Sequence, residues 1–190
     1  GEWSYDCVMS GLTKLRDEGF VDPERIGLQG HSWGGYQAAY MMTKTDMFAC
    51  VESGAPVVNM FSAYGGIRWG SGLSRQFQYE HTQSRIGGTP WSHHLRYLEN
   101  SPLFFTDKIN TPVLIMANDN DGAVPWYQGI EWFTALRRLG KPAWMLNLQE
   151  IPTAFFYFYC PVKTPLADIA MIENLRHYQI RHETEHIHSV

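Results

Sequence analysis

Apolar positions along the chain switch repeatedly between the spacing of a helix and that of a strand. Three segments have helical spacing or helix-forming composition: 3–18, 36–42 and 126–139. Four short segments have a strand pattern: 24–29, 48–52, 113–117 and 143–146. The run at 113–117 is apolar throughout, as in a strand covered on both faces. Strands separated by helices predict an α/β fold with a mostly parallel sheet flanked by helices.

A long segment without clear periodicity, 57–100, separates the second and third predicted strands. It is rich in Gly, Trp and Tyr, and only 91–98 has helical spacing. An insertion at this position in an α/β enzyme usually overhangs the strand ends and shapes the pocket. The alternative is a surface excursion packed on its own aromatic side chains.

The sequence GHSWGG at 30–35 is typical of a nucleophile elbow, because a predicted strand precedes it and a predicted helix follows it. Such a sharp bend puts Ser32 in strained backbone angles at the tip of the sheet. Gly30 and Gly34 are expected to remove side chains where the backbone comes close. The backbone N–H of Trp33, at the helix start, would face a developing oxyanion. The alternative is a glycine-rich turn capped by a serine.

A serine nucleophile needs a base, normally histidine, and a carboxylate that orients the base. In enzymes with this elbow, the acid follows the serine along the chain and the histidine comes last. The polar segment 118–125 follows the third predicted strand and offers two carboxylates, Asp119 and Asp121. The alternative is an ordinary polar turn, since Asn, Asp and Gly are favoured in turns.

Composition narrows the function classes. With 190 residues, 44% of them hydrophobic, the chain can bury the core of one globular domain or a large part of one. A net charge of −4 without a basic cluster argues against a nucleic-acid partner. No apolar run approaches the length of a membrane span, and Cys7, Cys50 and Cys160 match no metal or redox spacing. The chain begins with Gly1 instead of Met, so we expect an excerpt of a longer polypeptide.

Several motifs agree in order with one known family. They are DPERIG at 22–27, GHSWGGY at 30–36, YxENSP at 97–102, KIxTPVL at 108–114 and DxxVP at 121–125. Together they resemble the catalytic domain of the prolyl oligopeptidase family of serine peptidases, over about residues 1–147. The resemblance implies an α/β-hydrolase fold, no cofactor, and cleavage of peptide bonds through an acyl-enzyme on Ser32. It also implies Trp33 as one oxyanion donor and Asp121, in preference to Asp119, as the triad acid.

The resemblance also implies features that this chain does not show. In the family, the first strands of the sheet, a second oxyanion donor and a β-propeller precede the matching region, so we expect a partial catalytic domain at 1–147. Ala123 stands where many members carry an arginine that helps to hold the substrate. An esterase on the same scaffold is an alternative, because fold and elbow do not determine the leaving group.

The expected base is missing from its place. The resemblance puts a histidine in the loop near 148–154, where Thr153 stands instead, and an aromatic run follows at 155–160. We therefore separate 148–190 as an atypical C-terminal tail. Three explanations stay open: a reading-frame or gene-model change near codon 148, a genuine substitution that leaves a binding-only protein, and a tail histidine such as His177 that reaches Ser32.

Histidines elsewhere offer weaker signals. HETEH at 182–186 matches the zinc-binding pattern HExxH, yet only four residues follow it and a third ligand is lacking, so we predict a solvated terminus and no metal. His81, His93 and His94 lie in the insertion and are expected to be structural or surface groups.

Overall fold

The computed structural model describes residues 1–19 and 21–147. The tail, with Thr153, the aromatic run and the HETEH segment, lies outside these residues. The elements are α1 Glu2–Asp17, β1 Gly27–His31, α2 Trp33–Met42, β2 Cys50–Gly54, α3 Met60–Tyr64, β3 Ile67–Arg68, β4 Leu73–Ser74, α4 Gln76–Glu80, α5 His94–Glu99, a 3₁₀ segment Pro102–Lys108, β5 Val113–Ala117, α6 Tyr127–Arg138 and β6 Ala143–Asn147.

Four parallel strands form the central sheet in the order β1-β2-β5-β6. In the ladders, His31 of β1 is paired with Gly54 of β2, and Gly54 with Met116 of β5. The carboxyl ends of these three strands therefore lie side by side. The predicted α/β architecture with a parallel sheet is confirmed, and the segments that follow β1 and β5 emerge at the same end of the sheet.

Two predicted strand boundaries were wrong by a few residues. β1 begins at Gly27 instead of residue 24, because Asp22 starts a turn: its Oδ1 accepts from the Glu24 N–H at 3.0 Å and its carbonyl from the Arg25 N–H at 3.1 Å. β2 runs over Cys50–Gly54 instead of 48–52, since its ladder begins opposite Gly27. The sequence pattern indicated each strand but not the residue at which its pairing starts.

β5 is buried along its whole length, as its uniform apolar sequence predicted. It shares a core with Met41 and Met42 of α2 and with Trp132 and Leu136 of α6, which are all 2% exposed or less. Burying an apolar side chain of this size stabilises the fold by about 1.5–3 kcal/mol. These contacts hold the sheet and the two helices that flank the candidate site in a fixed relation.

The insertion packs against the sheet end instead of only on itself. Its buried aromatic side chains form a second cluster that also contains Tyr36 of α2 and Val124 of the loop after β5. Gln128 at the start of α6 ties the insertion down: its Oε1 accepts from the backbone N–H groups of Val58 and Asn59, both at 3.0 Å, and its Nε2 donates to Ser62 at 2.7 Å. The insertion is thus joined to both segments that carry predicted site residues.

Candidate active site

Ser32 occupies the single-residue bend between β1 and α2. Its φ of 58° and ψ of −115° lie in a region that L-residues other than glycine rarely adopt. Its N–H donates to the Gly54 carbonyl at 2.8 Å, which continues the β1-β2 ladder past the strand end. The Ser32 hydroxyl makes no capping hydrogen bond to α2. The strained angles predicted for an elbow are therefore present, and the serine-cap alternative does not describe this turn.

Glycines at the bend allow two very close backbone approaches. A Cβ on Gly30 would lie under 3.0 Å from the Gly34 carbonyl, and a Cβ on Gly35 would lie under 3.0 Å from the Gly54 carbonyl. A Cβ on Gly34 would meet no described atom within 4 Å. The close approach at Gly30 agrees with the steric reason given for that glycine. At Gly34 the described residues show no such approach, and the second one lies at Gly35.

Trp33 is the first residue of the ten-residue helix α2. Its backbone N–H is one of the first-turn donors that a helix leaves without an intrahelical acceptor, and no described residue accepts from it. Its ring packs on Tyr36, with centroids 4.9 Å apart, and on Tyr79 of α4 at 6.2 Å. The indole is thereby fixed between α2 and the insertion, while the N–H beside Ser32 can serve an acceptor from outside the described chain.

Asp121 is 8% exposed, although it lies in the loop after β5. Its Oδ1 accepts from the N–H groups of Ala123 at 2.8 Å and Val124 at 2.9 Å. Its Oδ2 is also buried and has no hydrogen-bond partner among the described residues. Asp119, the other carboxylate of the loop, is exposed. The two carboxylates that the sequence left open therefore differ, because only Asp121 is buried with one oxygen held by backbone donors.

The structure places Ser32 and Asp121 at the same end of the sheet, after β1 and β5, with β2 between them. The charge of Asp121 acts on the side chain of His31, the residue before Ser32. Burial lowers the pKa of His31 from 6.5, and the negative charge of Asp121 acts in the opposite direction.

Arg75, immediately before α4, is a further residue that sequence reasoning did not find. It is 2% exposed, and its Nη1 donates to the Ala123 carbonyl in the loop of Asp121. Beside it, burial raises the pKa of Tyr79 to about 12, so the phenol stays neutral over the physiological range. No signal in the sequence pointed to Arg75, since the contact joins residues 48 positions apart. Gly35 is the second residue that sequence reasoning did not find. The doubled glycine of GHSWGG was a signal that could have indicated its close backbone approach.

The remaining histidines of the insertion are not gathered at this site. His81 and His94 are exposed and His93 is half-buried. Within residues 1–19 and 21–147, no group of three or more His, Cys, Asp and Glu side chains is placed to hold a metal ion. In the same part of the chain, no helix has the length and apolar content needed to cross a membrane.

A sequence model of the prolyl oligopeptidase family matches residues 1–150, which is most of the chain. The chain belongs to the prolyl oligopeptidase family. The match makes this chain part of a serine-peptidase domain, a hydrolase domain with the α/β-hydrolase fold. The resemblance inferred from the motifs is thereby confirmed.

The chain is also similar to individual curated proteins. The uncharacterized peptidase YuxL of Bacillus subtilis is 27% identical over 142 residues, 74% of this chain and 20% of its own length. The acylamino-acid-releasing enzyme of Rattus norvegicus is 26% identical over 77% of this chain and 20% of its own. The chain thus spans about a fifth of the length of the curated relatives it matches.

Solved structures of two peptidases have the same fold. The uncomplexed acylaminoacyl peptidase of Pyrococcus horikoshii superposes with a TM-score of 0.65 at 26% identity, over 76% of this chain and 22% of that one. A puromycin-hydrolyzing peptidase of Mycobacterium tuberculosis superposes with a TM-score of 0.66 at 25% identity, over 77% of this chain and 21% of that one.

Proposed function

We propose that Ser32 is the nucleophile, Asp121 the triad acid and the Trp33 N–H an oxyanion donor in a peptidase that works through an acyl-enzyme. The observation that supports this assignment best is Asp121, which is buried at the same sheet end as Ser32 and has one oxygen held by backbone and the other unpaired within the described chain. A buried carboxylate with one unpaired oxygen can accept a hydrogen bond from an imidazole N–H.

In the proposed reaction, Ser32 Oγ attacks the scissile carbonyl carbon while its proton passes to the base. The tetrahedral oxyanion accepts a hydrogen bond from Trp33, the C–N bond breaks, and the leaving amine takes the proton. Water then cleaves the ester and regenerates Ser32. The base would be a histidine oriented by Asp121; the loop in which the family places it, 148–154, contains none and lies outside the described residues.

Substrates and partners are further proposals. We infer oligopeptides as substrates, with neither nucleic acid nor a membrane as partner, because the chain has a net charge of −4 and no basic cluster. Since the curated relatives are about five times as long as the matched region, we propose that an earlier segment supplies the missing strands of the sheet and that a separate β-propeller also belongs to the whole protein. We also propose that the domain ends at residue 147 and that 148–190 is a separate tail.

A fluorophosphonate probe tests the nucleophile directly, since it phosphonylates only an activated serine. We expect labelling of the Ser32 peptide by mass spectrometry and cleavage of peptide amides, both lost in Ser32→Ala and retained in the exposed control Ser71→Ala. Hydrolysis that survives Ser32→Ala would overturn the assignment. A wild-type protein that neither labels nor cleaves would overturn it in favour of a binding-only relative.

A further inference from the structure

Arg75 is a buried cation whose surroundings do not neutralise it. It is 2% exposed, and it forms no ion pair with any carboxylate in the described part of the chain. Its Cζ lies 5.7 Å from the centroid of the Tyr79 ring, and its Nη1 donates to the Ala123 carbonyl. A buried charge without a counter-ion destabilises a fold, so charge pairing does not explain its location. Its location is explained by the peptide group that it holds through the Ala123 carbonyl.

The peptide group that joins Ala123 to Val124 lies between Arg75 and Asp121. Its carbonyl accepts from Arg75, and its N–H donates to Asp121 Oδ1 at 2.9 Å. Hydrogen bonds to charged groups are stronger than neutral ones, and bonds in series polarise each other. A cation at one end of this peptide and a carboxylate at the other therefore fix the orientation of its plane. The direction of Asp121 Oδ2 depends on that plane.

The Arg75 side chain is itself held in one path. Its backbone N–H donates to the Gly66 carbonyl at 3.0 Å. A Cβ on Gly66 would lie 3.1 Å from Arg75 Cδ and 3.6 Å from Pro125 Cγ, so the arginine stem passes through a narrow space beside the loop of Asp121. A side chain confined in this way can transmit position from the insertion to that loop.

We propose that Arg75 is a positioning residue for peptide hydrolysis: it clamps the Ala123–Val124 peptide and thereby orients Asp121 Oδ2, which has no hydrogen-bond partner among the described residues, toward the histidine that would act as the base. This inference rests on the proposed function, in which Asp121 is the triad acid. Arg75 is too deeply buried to contact a substrate. Its loss should therefore slow the chemical step and leave substrate binding unchanged.

The test compares Arg75→Met, which keeps the bulk of the stem, with Arg75→Ala, Arg75→Lys and the exposed control Arg68→Met. We expect Arg75→Met to lower kcat by about 10- to 100-fold, the effect of a small misplacement in an active site, with KM within about twofold. Fluorophosphonate labelling of Ser32 should slow by the same factor. Millimolar guanidinium should restore part of the rate to Arg75→Ala and none to Arg68→Met.

A readout that does not need turnover is the backbone amide of Val124. Hydrogen exchange at this amide should accelerate at least tenfold in Arg75→Met, while amides of β5 keep their protection. Unchanged exchange and unchanged labelling would overturn the proposal, as would a raised KM at constant kcat, which marks a substrate contact. Loss of the folded state in both Arg75→Met and Arg75→Lys would also overturn it. If Ser32→Ala abolishes activity but Arg75→Met does not, only the role of Arg75 fails.

Discussion

Two adjacent glycines at the start of α2 should respond to the same substitution in opposite ways. A Cβ on Gly35 would lie under 3.0 Å from the Gly54 carbonyl oxygen and 3.2 Å from Pro56 Cα, whereas a Cβ on Gly34 would meet no described atom within 4 Å. Both residues lie in the first turn of α2. The gain in helix propensity from Gly to Ala is therefore common to both variants, and it cancels when they are compared.

The difference between Gly35→Ala and Gly34→Ala can be worked from two contributions. Forcing an extra methyl group into a packed backbone contact costs about 1–3 kcal/mol. The displaced Gly54 carbonyl is also the acceptor of the Ser32 N–H at 2.8 Å, and loss of such a bond costs about 0.5–1.5 kcal/mol. Gly35→Ala should thus have a free energy of unfolding about 2–4 kcal/mol lower than Gly34→Ala. A gap of about 3 kcal/mol corresponds to roughly 6–12 °C in Tm for a domain of this size.

Urea unfolding followed by tryptophan fluorescence measures the free energy of unfolding of both variants and the wild type. Gly34→Ala should equal or slightly exceed the wild type, and Gly35→Ala should fall below it without a change in the denaturant slope. Equal stabilities of the two variants, or a larger loss in Gly34→Ala, would refute the assignment of the close approach to Gly35.

Two further predictions concern the frame around the site. Gln128→Met leaves two backbone N–H groups of the insertion without their acceptor, so the free energy of unfolding should fall by about 2–6 kcal/mol in urea titrations. The exposed control Gln76→Met should stay within about 0.5 kcal/mol of the wild type. Equal losses in the two variants would contradict a stabilising role for the Gln128 hydrogen bonds. His31 has a pKa below 6.5 because burial disfavours its charged form, so the unfolded chain binds more protons and stability falls as the pH drops below 6.5. His31→Gln should lose less stability than the wild type between pH 7 and pH 5, and identical losses would rule out this contribution.

Local sequence was sufficient where a single segment decides its own structure. The uniformly apolar run of β5 and the end of α6 before Gly140, whose φ is +69°, were predicted within a residue or two. Within the insertion, the helical spacing of 91–98 indicated only α5. The other short elements were not predicted, because the insertion is stabilised by a core shared with Tyr36 and Val124, far away in the chain. Periodicity within a segment carries no information about such contacts.

The same distinction applies to the site. The bend at Ser32 follows from the residues beside it, so GHSWGG predicted its strained angles. Polar composition left Asp119 and Asp121 open and the family resemblance favoured Asp121, whereas the physical difference between them, burial and backbone donors, is visible only in the fold. The contacts of Gly35 and Arg75 involve carbonyl groups from other parts of the chain. The doubled glycine of GHSWGG was a local signal for Gly35, and no local pattern marked Arg75.

The unfavourable angles at Ser32 have a consequence for how this protein would lose function. A residue held in such a conformation stores about 1–3 kcal/mol, and only the surrounding contacts, such as the bond to Gly54, keep it there. If those contacts loosen, the bend relaxes before the rest of the sheet opens, as low-stability regions do in partial unfolding. Heat, denaturant or a distant destabilising mutation would therefore displace Ser32, the proposed nucleophile, while the core is still intact, and inactivation would precede unfolding.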